Sequence, residues 1–258
     1  MVCPSEVGGS QVHLETSNVL GFPLCVGSRE TVLAGIWRRY AGGGPTHIVT
    51  LNPEMVMAAR RNPQVFDLIR RADLFVADGV GITWAAKQLT RSRVQRYPGI
   101  DLAWDLMSRL AAKQASVFLV GARPGVADRA AGNLTSQLPG LNIAGVVDGY
   151  FGPEDESAVV ANICRVKPDL LLVGMGSPKQ EGFISSNRDE LGIPLMIGVG
   201  GALEVFAGEK QRAPKFIQRS GLEWSYRALK DLSRLKRIGV LPRFVALVLK
   251  EALMGGAA

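Results

Sequence analysis

The stretch DLFVADGVGI, residues 73–82, passes from an apolar run directly into an acid and a glycine. A short run that is apolar on both faces is typical of a strand buried in a parallel sheet. Asp78 then falls at the carboxyl end of this strand, where the chain must turn. An aspartate there is either an N-cap for the next helix or a base at the mouth of a site. Position alone leaves both interpretations open.

The alternation of short apolar runs with helical spacing extends over most of the chain. Strands are predicted at 46–51, 73–77, 116–120, 142–147, 169–174 and 194–199, and helices at 53–71, 80–90, 100–114, 124–137, 154–166 and 179–191. The first helix is expected to break at Asn62-Pro63, and Pro53, Pro63 and Pro124 suit first-turn positions. The order predicts the α/β class, with a Rossmann-like, mostly parallel sheet and helices on both faces.

Positive charge is concentrated at the C-terminal end. The chain has 258 residues and a formal net charge of +7; residues 205–258 hold 11 Lys or Arg against 4 Asp or Glu, whereas the first 204 hold 19 of each. Residues 209–258 show helical spacing without a convincing strand. We expect a poorly ordered leader (1–20), an α/β domain (21–208) and a basic helical appendage (209–258). The appendage should contact an anionic partner: phospholipid, a diphosphate or nucleic acid.

Polar or glycine-rich segments follow every predicted strand. In chain order they are TLNPE, ADGVG, GARPG, DGYFG, GMGSPKQE and GVGGALE. Ligands of open α/β sheets bind beyond the carboxyl ends of the strands, so these segments should meet at one rim. Their glycines either admit an anion to backbone N–H groups or form tight turns, and none matches a dinucleotide or P-loop fingerprint.

Several other kinds of site have little support. His47 lies in a predicted strand and is expected to be packed, and His13 lies in the leader, so no Ser–His–Asp set is expected. Cys3, Cys25 and Cys164 lack metal-like spacing and favour a reducing compartment. We expect no metal site and no cofactor. The N-terminus has no basic start or long apolar run, which predicts a cytoplasmic protein without a signal peptide or membrane span.

Taken in order, the strand ends resemble the TagA/WecG/CpsF glycosyltransferases, sugar transferase family 26. The resemblance rests on VT-N-E, ADG-G, G-G-PKQE, RAP and GLEW-YR, over roughly residues 20–240. It implies an inverting, metal-independent transfer from a UDP-sugar of the ManNAc, ManNAcA or glucose type. The implied acceptor is a sugar–diphosphate–polyprenol at the cytoplasmic face of the membrane, and the product has a β linkage. The appendage would dock on the membrane and close the site of the catalytic domain.

The resemblance also implies roles for individual residues. Asp78 is the implied general base. The implied substrate-binding residues are Thr50, Asn52, Gln180 and Glu204, the last standing where the family more often has Asp. The implied diphosphate ligands are Arg212, Arg227, Arg234 and Arg237, with a solvated basic face as the alternative. The chain departs from the family pattern at KDLSRLKR in the tail and at Arg96-Tyr97-Pro98.

The last segment, IGVLPRFVALVLKEALMGG (238–256), predicts a short amphipathic helix. Such a helix lies either in a headgroup layer or against its own domain. The basic stretch before it favours an anionic membrane, and hence peripheral attachment at the inner face of the cell membrane. Deleting residues 209–258 is then expected to leave a folded body. Self-association stays open.

Two other functions are weaker alternatives. A nucleic-acid-binding tail should interleave aromatic with basic residues, and this tail has only Phe216, Trp224, Tyr226 and Phe244. An NAD-dependent oxidoreductase should have glycines after the first strand, where this chain has LNPEM. The sequence therefore favours sugar transfer, with no nucleic-acid partner.

Overall fold

The computed structural model describes residues 14–214, 217, 226 and 239–255, and its centre is an eight-stranded sheet. The strands are β1 (Thr16–Val19), β2 (Phe22–Cys25), β3 (Thr46–Leu51), β4 (Leu74–Ala77), β5 (Ser116–Gly121), β6 (Asn142–Val147), β7 (Leu170–Gly174) and β8 (Leu195–Gly198). Their order is β1-β2-β4-β3-β8-β7-β5-β6, and all neighbours are parallel except β1 and β2. The predicted mostly parallel sheet is confirmed.

Helices cover both faces of this sheet. They are α1 (Arg29–Ala41), α2 (Pro53–Arg61), α3 (Pro63–Arg70), α4 (Val80–Thr90), α5 (Gly99–Ala111), α6 (Val126–Gln137), α7 (Glu156–Val166), α8 (Lys179–Leu191), α9 (Ala202–Phe206) and α10 (Val240–Gly255). Alternate strand residues supply the core clusters on the two faces of the sheet, because successive side chains of a strand point to opposite faces. On β4, Leu74 and Val76 join the core under α1, α5, α6 and α9, whereas Phe75 joins the core under α2, α3, α4 and α10.

Each strand and helix predicted from the sequence is present, with small shifts at the ends. The break at Asn62 is confirmed, since Asn62 ends α2 and caps α3 by accepting from the Gln64 N–H at 2.9 Å. The first-turn position of Pro124 is wrong. Helix α6 enters through Gly125, whose φ of +75° is the left-handed conformation that glycine adopts without strain, so Pro124 lies before the helix.

An N-terminal hairpin was not predicted. Strands β1 and β2 are four residues each and are joined at Leu20-Gly21, where the Asn18 side chain accepts from the Gly21 N–H at 2.9 Å. The boundary expected at residue 20 cuts through this hairpin. Pro23 removes one N–H from β2, and the strands are too short to show alternation, so the segment lacks a clear strand pattern.

The C-terminal helix α10 packs on the body of the protein. Phe244 and Val248 are fully buried against α2 and α4, and Arg60 forms an ion pair with Glu251 at 2.6 Å. The outer face carries Val245, Leu249 and Leu253, which are exposed. The predicted helix is confirmed, and the face that carries Phe244 and Val248 packs into the core. Among the described residues, no helix has the length and apolar character needed to cross a bilayer.

His47 is expected to make the fold sensitive to acid. Its ring is fully buried in β3, as expected, and burial lowers its pKa to about 4, against the raising effect of Asp73 and with a smaller lowering effect of Arg188. The unfolded chain binds this proton near pH 6.5 and the folded chain does not. Stability should therefore fall as the pH drops from about 6.5 toward 4, by roughly 3 kcal/mol in total.

Denaturant unfolding of the wild type and of His47→Leu at pH 7 and at pH 4.5 tests this expectation. The variant should lose less stability between the two pH values, because it has no imidazole to charge. Equal losses in the two proteins would show that His47 is not the acid-sensitive group.

Candidate active site

A cleft lies beyond the carboxyl ends of the parallel strands. Its volume is about 1710 Å³, and residues that follow β3, β4, β5, β6, β7 and β8 line it. The expected convergence of the strand ends at one rim is confirmed. Of the predicted site residues within the described chain, the cleft is lined by Thr50, Asn52, Asp78, Gln180, Glu204 and Arg212. Arg227, Arg234 and Arg237 lie outside the described residues.

Asp78 follows β4 and faces the cleft. Its backbone N–H donates to the Leu51 carbonyl at 2.8 Å, which ties it to the end of the neighbouring strand β3. The N-cap of α4 is Gly79, with a φ of +93°, and no side chain caps this helix within the described residues. The N-cap interpretation of Asp78 is therefore wrong. A half-buried carboxylate that lines a cleft is suited to accept a proton from a bound hydroxyl.

Thr50 and Asn52 lie at the end of β3 beside Asp78. Thr50 is buried, and its Oγ1 is 3.5 Å from the Gly198 carbonyl oxygen, so it links β3 to the end of β8. Asn52 caps α2 by accepting from the Met55 N–H at 3.0 Å. Both therefore have structural roles as well as a place on the wall of the cleft.

Gln180 lies at the start of α8, next to the end of β8. Its side-chain oxygen accepts from the Gly200 N–H at 2.9 Å, and its side-chain nitrogen donates to Glu181 at 2.7 Å. The residue is only 5% exposed. Its amide thus supports the glycine-rich wall of the cleft, and the residue also lines the cavity.

Glu204 and Arg212 are both engaged with other side chains. Lys210 Nζ is 3.4 Å from Glu204 Oε1. Arg212 Nη1 donates to Asp101 at 2.6 Å, and the other oxygen of Asp101 is 3.4 Å from Arg29. Asp101 therefore holds Arg212 at the edge of the cleft. A solvated basic face, the alternative for this arginine, does not describe a half-buried guanidinium paired with a carboxylate.

Other cations line the cleft that were not selected from the sequence. Arg123 pairs with Glu209 at 2.9 Å, and Lys179 donates to the Gly149 carbonyl at 3.2 Å and lies 5.3 Å from the Phe151 ring. Arg96 is a further lining residue. Arg123 and Lys179 belong to GARPG and PKQE, which follow β5 and β7, so their position at strand ends was the available signal. Arg96 follows no strand, and no local signal marks it.

The Arg96 segment is held at the rim by its neighbour Tyr97. The Tyr97 N–H donates to the Ala77 carbonyl at 2.8 Å, one residue before Asp78. Its buried hydroxyl donates to Asp105 at 2.6 Å, and burial together with this carboxylate raises the Tyr97 pKa far above its ordinary value. Tyr97, which is part of the segment that departs from the family pattern, therefore anchors Arg96 next to the end of β4.

The cleft combines the half-buried carboxylate of Asp78 with several cations, and Glu54, Glu204 and Glu209 line it as well. That combination suits the binding of an anionic substrate and proton removal from a hydroxyl beside it. Within the described residues, no group of three or more His, Cys, Asp and Glu is arranged to hold a metal ion.

The chain is similar to known proteins over most of its length. Residues 17–257 match the Glycosyl transferase WecG/TagA/CpsF family. Proteins from Staphylococcus aureus strains MW2 and NCTC 8325 are each 39% identical over 203 residues, covering 79% of this chain and 79% of the relative. Both are named N-acetylglucosaminyldiphosphoundecaprenol N-acetyl-beta-D-mannosaminyltransferase. The chain therefore belongs to the WecG/TagA/CpsF family of glycosyltransferases.

Proposed function

We propose that this enzyme transfers N-acetylmannosamine from UDP to a polyprenol-diphosphate-linked N-acetylglucosamine, with inversion at the anomeric carbon. The observation that carries the proposal is the half-buried Asp78 in a cleft that Arg96, Lys179 and Arg212 also line. Family membership and the names of the two relatives support the choice of sugar and acceptor. The other functions considered, hydride transfer with NAD and nucleic-acid binding, leave Asp78 without a role.

In this reaction Asp78 accepts the proton of the acceptor hydroxyl as the hydroxyl oxygen attacks the anomeric carbon. The bond from that carbon to the UDP oxygen breaks, and UDP leaves with the electron pair. A single in-line displacement of this kind inverts the anomeric centre. Asp78 supplies the one base that the step requires, and the proton then passes from it to solvent.

The leaving diphosphate needs positive charge where its own charge grows. Lys179 is a suitable group, because its present contacts, a carbonyl and a ring, do not neutralise it. Arg96 and Arg212 line the same cleft. Preformed positive groups stabilise a developing anion without reorganisation, and an arginine fork matches phosphate oxygens. Arg227, Arg234 and Arg237 stay proposed contributors from the tail.

The nucleoside end of the donor is proposed to lie toward Tyr150 and Glu204. Tyr150 is 72% exposed at the rim of the cleft, so its ring is available for stacking on a base. Glu204 offers a carboxylate that can accept from ribose hydroxyls. Thr50 and Asn52, which lie at the end of β3 next to the strand that precedes Asp78, are proposed to contact the sugars.

UDP release from a panel of UDP-sugars, with a short-chain N-acetylglucosamine-diphosphate-prenol as acceptor, tests the function. We expect release from UDP-N-acetylmannosamine that depends on the acceptor and is indifferent to EDTA. Release from UDP-glucose or the uronic acid donor instead would change the sugar and keep the reaction class. A folded protein that releases UDP from no donor would overturn the proposal.

We also propose that α10 brings the enzyme to the cytoplasmic face of an anionic membrane. Val245, Leu249 and Leu253 follow one another at four-residue intervals on its outer face and are 41%, 47% and 80% exposed. Arg243 and Lys250 beside them are exposed as well. Apolar residues flanked by basic ones suit a helix lying in the headgroup layer. Leu241 of the same helix lines the cleft, so such docking presents the site to a lipid-linked acceptor.

The double variant Leu249→Asp/Leu253→Asp tests this surface. Binding to phosphatidylcholine–phosphatidylglycerol vesicles should fall at least about tenfold, because two leucines no longer enter the lipid and two acids oppose it. The melting temperature should stay close to that of the wild type, since both side chains face outward. Vesicle binding equal to the wild type would remove α10 as the docking element.

A further inference from the structure

Two adjacent polar residues at the start of α8 are buried. Gln180 is 5% exposed and Glu181 is 1% exposed. Both lie in the first turn of the helix, and polar residues of these types are mostly exposed to solvent. Glu181 does not line the cleft, which Gln180 does. The two side chains are joined by the 2.7 Å hydrogen bond from Gln180 Nε2 to Glu181 Oε1.

The hydrogen bonds determine how the Gln180 amide is oriented. The Gly200 N–H can only donate, so the Gln180 atom that lies 2.9 Å from it is the oxygen. The amide nitrogen must then face Glu181, which offers an acceptor. A continuous chain of two hydrogen bonds therefore runs from the Glu181 carboxyl through the Gln180 amide to the backbone of Gly200.

The segment at the end of this chain is a wall of the cleft. Gly198, Val199, Gly200 and Gly201 all line the cavity. Gly200 has a φ of +50°, and the Gln180 amide packs so closely on Gly198 that a Cβ there would lie 2.4 Å from Nε2. Glycines gain the most conformational freedom when they are released, so this segment depends on outside contacts for its shape.

Burying Glu181 is unfavourable in itself. Burial raises its pKa, against the opposing effects of hydrogen bonds from the Gln180 side chain, the Ser177 side chain and its own backbone N–H. Its second oxygen, Oε2, has no hydrogen-bond partner within the described residues. A carboxyl buried in this way costs stability unless it is compensated, and a hydrophobic residue would fill the same space without that cost. Of the contacts of Glu181, the hydrogen bond with Gln180 is the one that leads on to the Gly200 backbone.

We propose that Glu181 is a positioning residue for sugar transfer, which holds the Gln180 amide so that the amide fixes the Gly198–Gly201 wall of the cleft. The proposal rests on the proposed function and adds that the donor lies against this wall. Glu181 touches no substrate and acts through Gln180. Its contribution should therefore disappear when Gln180 can no longer transmit it.

A double-mutant cycle tests this dependence. Glu181→Leu should lower kcat/KM for the UDP-sugar about tenfold or more, and Glu181→Gln, which keeps an acceptor oxygen for Gln180, should restore it to within about threefold of the wild type. In a Gln180→Leu background, Glu181→Leu should change kcat/KM by less than about twofold. Glu190→Gln, an exposed glutamate of the same helix, is the matched control and should leave the rate unchanged.

Amide hydrogen exchange gives a readout that does not depend on activity. The Gly200 N–H should exchange faster in Glu181→Leu than in the wild type and in Glu181→Gln, because its acceptor is no longer held. A wild type that neither binds UDP nor transfers sugar would defeat the proposed function, and the exchange result would still decide the role of Glu181. Unchanged exchange at Gly200, or a Glu181→Leu effect that is equally large in both backgrounds, would overturn the positioning role.

Discussion

Replacing Asp78 with asparagine should lower kcat by a factor of about 10² to 10⁴, the usual contribution of a general base. Asparagine has almost the same shape as aspartate and cannot take up the proton of the acceptor hydroxyl. Affinity for UDP should stay nearly unchanged, since the proposed diphosphate and nucleoside contacts come from other residues. Single-turnover rates and UDP titration by calorimetry measure the two effects separately.

Asp148→Asn is the matched control for this prediction. Asp148 also follows a strand of the sheet, and its carboxylate accepts from the Tyr150 N–H at 2.8 Å, a bond that an amide oxygen can replace. This variant should keep most of the wild-type rate. If Asp78→Asn retains more than about a tenth of the wild-type rate, a different group is the base.

Phe244→Ala should destabilise the protein by about 3–5 kcal/mol, the usual cost of emptying a buried phenylalanine site. The ring is 1% exposed and packs with α2 and α4 in the same core as β3 and β4. Loss of this packing should release α10, and the activity should fall together with the stability. Leu253→Ala, on the same helix with an 80% exposed side chain, should change the free energy of unfolding by less than about 0.5 kcal/mol.

Denaturant unfolding of the two variants decides whether α10 is part of the core. Equal stability of Phe244→Ala and the wild type would mean that the tail is a separable appendage, as its charge and position in the sequence led us to expect. The packing of Phe244 and Val248 revises that expectation. A chain truncated at residue 208 should expose an apolar surface on α2 and α4 and should not keep the stability of the full-length body.

The parallel sheet could be predicted from the sequence because its strands are apolar on both faces and are separated by helices with clear start signals. Pro53 and Pro63 mark two of those starts. The hairpin β1–β2 could not be predicted so easily, since its pairing depends on a left-handed turn at Leu20-Gly21 and on a neighbour, β4, about 50 residues away.

The candidate site was partly predictable for a related reason. The position of Asp78 follows from the strand that precedes it, so it could be found from a local pattern. The pairing of Arg212 with Asp101 joins residues that are 111 positions apart, and no local sequence pattern predicts it. Burial of Glu181 depends on how α8 meets the sheet, which the composition of its first turn does not indicate.

The position of α10 has a consequence for biosynthesis. The surface that it covers is made from α2 and α4, and about 150 residues separate the end of α4 from the start of α10. At a translation rate of about 5–20 residues per second, this apolar surface stays exposed for on the order of ten seconds before α10 has been synthesised. A nascent chain of this enzyme should therefore bind a chaperone, or pair with other nascent chains, through α2 and α4 in particular.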